Sequence, residues 1–280
     1  MPPFAEVIGD PIAHSKSPAL HGHWLSKLGL VGEYRAQSVE AAGLAAYLNG
    51  RRADPDWRGC NVTIPHKERI APLLDQVSPD AAAIGAVNCV VRADYGLWGY
   101  NTDVDGIVAA LGEKPLGSRK VAVIGAGGAA RAMLAYLAGR SPSEVTIIAR
   151  DPLKAEGLRS AAPDLSLNFA SLDSAHDALA DAALIVNASP LGMDGLPPMP
   201  EPLLRAVEDN ARGTILFDMV YQPLRTGFLR RGAAAGGEPV DGLTMLIGQA
   251  RSAFELFFRT EPPQADEELR ALLTGATRTS

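Results

Sequence analysis

Cysteine is almost absent from this chain: Cys60 and Cys89 are the only two in 280 residues. Two cysteines make no disulfide framework, and no Cys/His cluster has the spacing of a zinc site, so no metal is expected. A reducing compartment, the cytoplasm, suits such a chain. Long apolar runs are also missing. None reaches the ~18 residues of a membrane helix, so no membrane span is expected. The opening MPPFAEVIGD has no basic segment followed by an apolar one, so no secretory leader is expected. Any excess of positive charge is missing too, with 26 Lys and Arg against 32 Asp and Glu. The net charge is -6, and paired arginines occur only at Arg51-Arg52 and Arg230-Arg231, which read as solvated charges. No basic stripe exists to hold a nucleic acid, so no such partner is expected.

What is present describes an ordinary globular chain. Hydrophobic residues make up 47% and charged residues 21%, enough to build sizeable cores. The length suits two domains, against roughly 100–200 residues per domain. No internal repeat is visible. AEVIG, EYRAQSV and GCNVT read as strands, with SPALHGHWLSKLG and AAGLAAYLNG as helices between them, each stopped by glycine. Two strand-like runs flank ADYG, which reads as a hairpin on the edge of this first sheet. From Lys120 a second series begins, with KVAVIG, EVTIIAR, LSLNFA, ALIVNAS and TILFDMV as strands. This alternation predicts an α/β protein with mostly parallel sheets covered by helices. GLTMLIGQARSAFELFF has apolar residues at helical spacing, with Gln249 among them. The remainder reads as a short helix with a frayed tail.

KVAVIGAGGAARAMLAYLA carries the clearest motif. Gly125, Gly127 and Ala130 fit G-x-G-x-x-G/A between a strand and a helix, which is the context a dinucleotide fingerprint requires. Gly125 permits the tight turn, Gly127 lets backbone N–H groups approach a pyrophosphate, and Ala130 keeps the helix close to the strand. The helix N-terminus supplies oriented donors for the anion. Ala149 stands where an NAD-selective site usually places a carboxylate for the ribose 2′-OH. Arg150 and Lys154 follow, and two cations suit a 2′-phosphate, which favours NADP(H) over NAD(H). Alternatively they are solvated residues at a helix start. Asp151 between them either caps that helix before Pro152 or repels the phosphate.

Four polar clusters interrupt the remaining apolar pattern. In GDPIAHSKSPALH, Ser15 and Ser17 precede a helix, where hydroxyls can hold a carboxylate, although Ser17 before Pro18 also reads as a simple N-cap. GCNVTIPHK ends a core strand with Asn61, Thr63 and Lys67, three polar groups that a strand filling a core has no use for. In IGAVNCV, Asn88 breaks an apolar run. In GYNTDVDG, Asp103 lies where a strand gives way to a helix, and taken alone it reads as an N-cap.

Taken in order, GDPIAHSKSPALH, GCNVTIPHK, IGAVN, GYNTDVDG, GAGGAAR, VNASPLGM, DMVYQPLRT and DGLTMLIGQA resemble the shikimate dehydrogenase family over nearly the whole chain. The resemblance implies NADPH-linked reduction of 3-dehydroshikimate to shikimate in aromatic amino-acid biosynthesis. It implies an N-terminal mixed α/β substrate domain, residues 1–103 with 241–280, and a Rossmann-like doubly wound dinucleotide domain, residues 104–240, with the site in a cleft between them. Ser15 and Ser17 are then expected to bind the substrate carboxylate. Asn61, Thr63, Asn88, Asp103 and Lys67 are expected at its hydroxyls, with Gln249 and Tyr221 closing the site. Gly125, Ala126, Gly127, Gly128 and Ala129 are expected to hold the pyrophosphate, and Ala149, Arg150 and Lys154 to surround the 2′-phosphate. Met219 and Gly242 are expected along the nicotinamide. The expected assembly is a monomer or homodimer.

Lys67 and Asp103 then carry the chemistry. Negative charge develops on the ketone oxygen as hydride arrives. A protonated lysine stabilises that charge and donates a proton, a role worth on the order of 10²–10⁴ in rate. Asp103 holds lysine and hydroxyl in line. By itself Lys67 would read as an exposed lysine at a helix start, and His66 beside it reads as a surface residue or one behind the substrate contacts. The chain departs from the family's usual wording at Gly22 after His21, at Cys89 after Asn88, and after Arg150. Three other readings remain: an NAD-preferring quinate/shikimate dehydrogenase, a catalytically silent shikimate-sensing relative, and an unrelated dinucleotide-binding structural protein.

Overall fold

The computed structural model describes residues 2–275. The expected frayed tail falls on residues 276–280, outside the described residues. Two units separate by their internal contacts: Asp103–Gly248 forms one, and the chain on either side of it forms the other.

In the first unit the chain runs β1 (Phe4–Gly9), α1 (Ser17–Lys27), β2 (Glu33–Ser38), α2 (Leu44–Arg52), β3 (Trp57–Val62), β4 (Gln76–Val77), α3 (Pro79–Ile84), β5 (Cys89–Ala93) and β6 (Gly96–Tyr100). The strands form one mixed sheet in the order β2-β1-β3-β5-β6-β4. β1 pairs in parallel with β2 and β3, while β3–β5 and β5–β6 are antiparallel. Strand alternation explains the core. Phe4 and Ile8 of β1 join Trp57, Cys60, Val62 and Leu97 on one side, and Ala5 and Val7 join Tyr34 and Cys89 on the other. Glu6 is buried too, and it is matched there: Arg51 donates to both of its oxygens, at 2.7 and 2.8 Å, and the Tyr47 hydroxyl donates at 2.7 Å.

The β5–β6 hairpin is not on the sheet edge, because β4 pairs outside it. A two-residue strand leaves too short a pattern to read from sequence. Gly50 does not stop α2, which continues to Arg52, and Arg51 in that last turn pairs with Glu6.

The second unit comprises α4 (Asp103–Leu111), β7 (Lys120–Ile124), α5 (Gly128–Ala138), β8 (Glu144–Ala149), α6 (Pro152–Ala155), β9 (Leu167–Ser171), α7 (Ala175–Leu179), β10 (Ala182–Asn187), α8 (Glu201–Asp209), β11 (Ile215–Asp218), α9 (Gly227–Ala234), β12 (Glu238–Val240) and the start of α10 (Gly242–Phe258). The sheet is wholly parallel, in the order β12-β11-β10-β7-β8-β9. Its near-continuous apolar strands are those of a sheet covered on both faces. Val121 and Val123 face a core closed by α4 and α5, while Ala122 and Ile124 face a core closed by α7, α8 and α9. The chain winds outward from β7 to β9, then returns to β10 on the other side of β7. That reversal is a topological switch point, where ligands of such sheets bind.

The boundary back to the first unit falls between Gly248 and Gln249, inside α10. Met245 belongs to the second unit's core. α11 (Glu267–Thr274) ends the described chain, capped by Asp266. Among the described residues no helix is long and apolar enough to cross a membrane, and no group of three or more His, Cys, Asp and Glu could hold a metal ion.

Candidate active site

In the first unit the polar tip of β3 is fixed to its neighbours by backbone bonds. Thr63 N–H donates to Ile8 O at 2.9 Å, and Asp10 N–H donates to Ile64 O at 3.0 Å. The Ile64–Pro65 peptide is cis. A side chain at Gly9 would meet Thr63 Cγ2 at 2.5 Å and Ile64 O at 2.9 Å, so only glycine lets β1 approach this turn. Lys67 lies half-buried in the turn that follows, not at a helix start, and its carbonyl accepts Val87 N–H at 2.8 Å. His66 is fully buried, which excludes the surface alternative of its two readings and leaves the other open. Its Nε2 lies 2.6 Å from Val39 O. A carbonyl only accepts, so Nε2 carries the proton and the ring anchors the turn.

Asn61, Asn88, Thr102 and Gln249 form one buried network in this unit. Asn61 Oδ1 accepts the Tyr34 hydroxyl at 2.6 Å, and its Nδ2 donates to Asn88 O at 3.3 Å. Asn88 Nδ2 donates to Thr102 Oγ1 at 3.0 Å and to Gln249 Oε1 at 3.4 Å, while its Oδ1 accepts Thr102 N–H at 2.7 Å. The Thr102 N–H can only donate, so it sets the Asn88 amide with Oδ1 toward it and Nδ2 toward Thr102 Oγ1 and Gln249. Ser15 Oγ accepts Ser17 N–H at 3.3 Å. Ser17 is not the N-cap of α1: Lys16 holds that position without a side-chain bond, and Ser17 is the first helical residue, buried. The Cys89 thiol is buried and its pKa is pushed well above the usual value by burial, so the residue after Asn88 contributes packing rather than nucleophilicity. A side chain at Gly22 would meet nothing within 4 Å, and nothing in the structure explains that glycine.

In the second unit β7 ends at Ile124 and α5 opens at Gly128. Gly125 has φ +114, and a Cβ there would lie 2.9–3.0 Å from the backbone of Ala188 and Ser189 at the end of β10. Gly127 is extended and no side chain caps α5. The first backbone donors of an eleven-residue helix are therefore presented at the switch point by small residues, which fits a pyrophosphate. Ala130 is fully buried, as close packing of helix on strand requires. Ala149 ends β8, and Arg150 and Lys154 follow it, both exposed. Asp151 does cap α6, accepting Lys154 N–H at 3.2 Å, and its other oxygen lies 3.5 Å from Lys154 Nζ. Asp103 is the first residue of α4 and 4% exposed. Met219 and Tyr221 follow β11, both half-buried. Gly242 opens α10, whose first turn Asp241 caps by accepting Leu243 and Thr244 N–H.

Sequence reasoning missed Thr102, although it lies inside GYNTDVDG, and missed Asn187 and Asp218, which are fully buried at the ends of β10 and β11. Each of the last two is a polar tip on an apolar strand, the same signal that singled out GCNVTIPHK.

Two family models match the chain. The shikimate dehydrogenase substrate binding domain matches residues 7–90, and shikimate / quinate 5-dehydrogenase matches residues 109–191. A shikimate dehydrogenase (NADP(+)) of Sphingopyxis alaskensis is 52% identical over 275 residues, covering 98% of this chain and 97% of that protein. Among solved structures, the Thermus thermophilus shikimate 5-dehydrogenase in complex with NADP(H) and shikimate is 34% identical, with a TM-score of 0.80 over 98% of this chain and 100% of that one. The Listeria monocytogenes shikimate 5-dehydrogenase in complex with shikimate and NAD is 31% identical, with a TM-score of 0.83 over 97% and 96%.

Proposed function

The chain belongs to the shikimate dehydrogenase family, and from that premise we propose that it is an NADP-dependent oxidoreductase catalysing the reversible reduction of 3-dehydroshikimate to shikimate. The observation that carries this reading is 52% identity over 98% of the chain to a protein named for that activity. The cradle at Gly125 and the uncapped start of α5 support a dinucleotide independently of it.

NADPH, when bound, supplies the hydride. The chain's own residues do the rest. Lys67 stabilises the negative charge that grows on the ketone oxygen and gives that oxygen its proton. Asp103 holds the lysine and the hydroxyl in line. In the reverse direction Lys67 takes the proton from the alcohol. Ser15 and Ser17 bind the substrate carboxylate. Asn61, Thr63, Asn88, Gln249 and Tyr221 bind and enclose its hydroxyls, with the Asn88 amide oriented by Thr102 and Gln249. The backbone of Gly125, Ala126, Gly127, Gly128 and Ala129 receives the pyrophosphate. Arg150 and Lys154 pair with the 2′-phosphate beside Ala149, and Met219 and Gly242 line the nicotinamide. The reading includes a cytoplasmic enzyme, monomeric or homodimeric, with no nucleic-acid partner.

Initial rates with shikimate and with quinate, each with NADP⁺ and NAD⁺, test it. The highest kcat/KM is expected with shikimate and NADP⁺; a preference for quinate with NAD⁺ overturns it. Lys67→Ala is expected to fold, to bind NADP⁺ and to lose about 10²–10⁴ in turnover. Normal turnover in that variant removes Lys67 from the mechanism.

A further inference from the structure

The second unit holds a buried acid that the reaction above does not use. Asp218 ends β11 and is fully buried. Its Oδ1 accepts Val220 N–H at 2.9 Å and Asn187 Nδ2 at 3.0 Å, and its Oδ2 accepts the Thr226 hydroxyl at 2.6 Å. Thr226 Oγ1 itself accepts Leu229 N–H at 3.2 Å as the cap of α9, so its single proton goes to Asp218. Asn187 ends β10. Its second Nδ2 hydrogen goes to Leu191 O at 3.1 Å, and its Oδ1 accepts Ser189 N–H at 3.2 Å and Ser189 Oγ at 2.7 Å. These four bonds fill the amide in one orientation only; flipped, its oxygen would face a carboxylate and a carbonyl. Burial pushes the Asp218 carboxyl up to about 6, against the pull of its three donors.

What this network fixes is backbone at the switch point. Asn187 O accepts Met219 N–H at 3.0 Å. On the other side of the same segment, a Cβ at Gly242 would lie 2.7–2.8 Å from the carbonyl oxygens of Asp218, Met219 and Val220. The turn at Gly125 rests on Ala188 and Ser189, the two residues after Asn187. The dinucleotide turn, the Met219 segment and the start of α10 are thus built around one pair of polar side chains.

We propose that Asn187 and Asp218 are positioning residues for hydride transfer, holding the backbone of Met219 and of the Gly125 turn so that the nicotinamide end of the cofactor is fixed while its adenosine end is held elsewhere. This rests on the cofactor reading given above. Three variants test it: Asp218→Asn, Thr226→Val and Thr226→Ser. Each is checked for folding by thermal melting. Each is then assayed for kcat, for the isotope effect with shikimate deuterated at the oxidised carbon, and for affinity toward 2′,5′-ADP, which carries only the adenosine end. Asp218→Asn and Thr226→Val are expected to lower kcat about 10–100-fold and to raise the isotope effect, with 2′,5′-ADP affinity held within about twofold. Thr226→Ser keeps the hydroxyl and is expected to keep the rate. Unchanged turnover, or a loss matched by an equal loss of 2′,5′-ADP affinity, overturns the assignment. If Asp218→Asn does not fold, the two Thr226 variants decide the matter. Wild-type turnover is measured first: its absence overturns the cofactor reading and this assignment together, whereas turnover with unaltered variants overturns this assignment alone.

Discussion

At Asp151 a single carboxylate has two jobs that pull in different directions. It caps α6 and it sits beside Lys154 Nζ, a cation proposed for the 2′-phosphate. A serine there keeps a capping oxygen and removes the competing charge. Because the pair is exposed, the gain is small: Asp151→Ser is expected to lower the KM for NADP⁺ about two- to fivefold with the KM for NAD⁺ unchanged. An unchanged KM for NADP⁺ would count against Lys154 as a phosphate ligand. His21 is the opposite case, a titratable group with no solvent. Its ring stacks on Tyr34 at 4.0 Å and meets Trp24 edge-on at 5.7 Å. Neither ring nitrogen has a hydrogen-bond partner among the described residues. Burial lowers its pKa to about 3, whereas the unfolded chain titrates near 6.5. Above that value both states are neutral and the stability is complete. As pH falls from 6.5 toward 3 only the unfolded chain takes the proton, so stability is lost. Between pH 6.5 and 5 the loss in wild type is expected to exceed that in His21→Phe by on the order of 1–2 kcal/mol. Parallel denaturation profiles for the two proteins would rule out this charge state.

Gly22 in α1 and Gly242 in α10 are expected to respond in opposite ways to the same substitution. Gly22 lies inside α1 with open space around it. Gly22→Ala should stabilise by about 0.5–1 kcal/mol, since alanine loses less backbone entropy on folding. Gly242 opens α10 against three carbonyl oxygens. Backbone there cannot give way like a side chain, so Gly242→Ala should cost about 1–3 kcal/mol. Chemical denaturation of both variants reads the signs directly; equal shifts would contradict the packing described. Most elements were legible because their patterns are long. Apolar runs such as VAVI and LIVN read as strands of a parallel sheet, and they are. The misses were short. β4 has two residues and β12 has three, too few to show a period. The last turn of α2, past Gly50, carries Arg51, which pairs with Glu6, a partner distant in sequence.

For the whole chain, the cofactor is expected to act as a stabiliser. NADP⁺ at about 100 times its dissociation constant should add about 2.7 kcal/mol to the folded state by mass action. The melting temperature should rise with NADP⁺ and rise less with an equal concentration of NAD⁺; equal shifts would remove the argued selectivity. The amino-acid order by itself determined the α/β class, the dinucleotide fingerprint at Gly125–Ala130 and the family, because period, glycine spacing and motif order are local or linear properties. It also marked Asn61 and Asn88 as polar groups out of place in apolar strands. Tertiary structure alone decided what those groups meet: that Asn88 is oriented by Thr102 and Gln249, that His66 is buried under Val39 O, and that Asn187 and Asp218 join two strand ends. A hydrogen bond needs two partners within about 3 Å, and which distant residues come that close is set by strand order and register, which no single stretch of sequence contains.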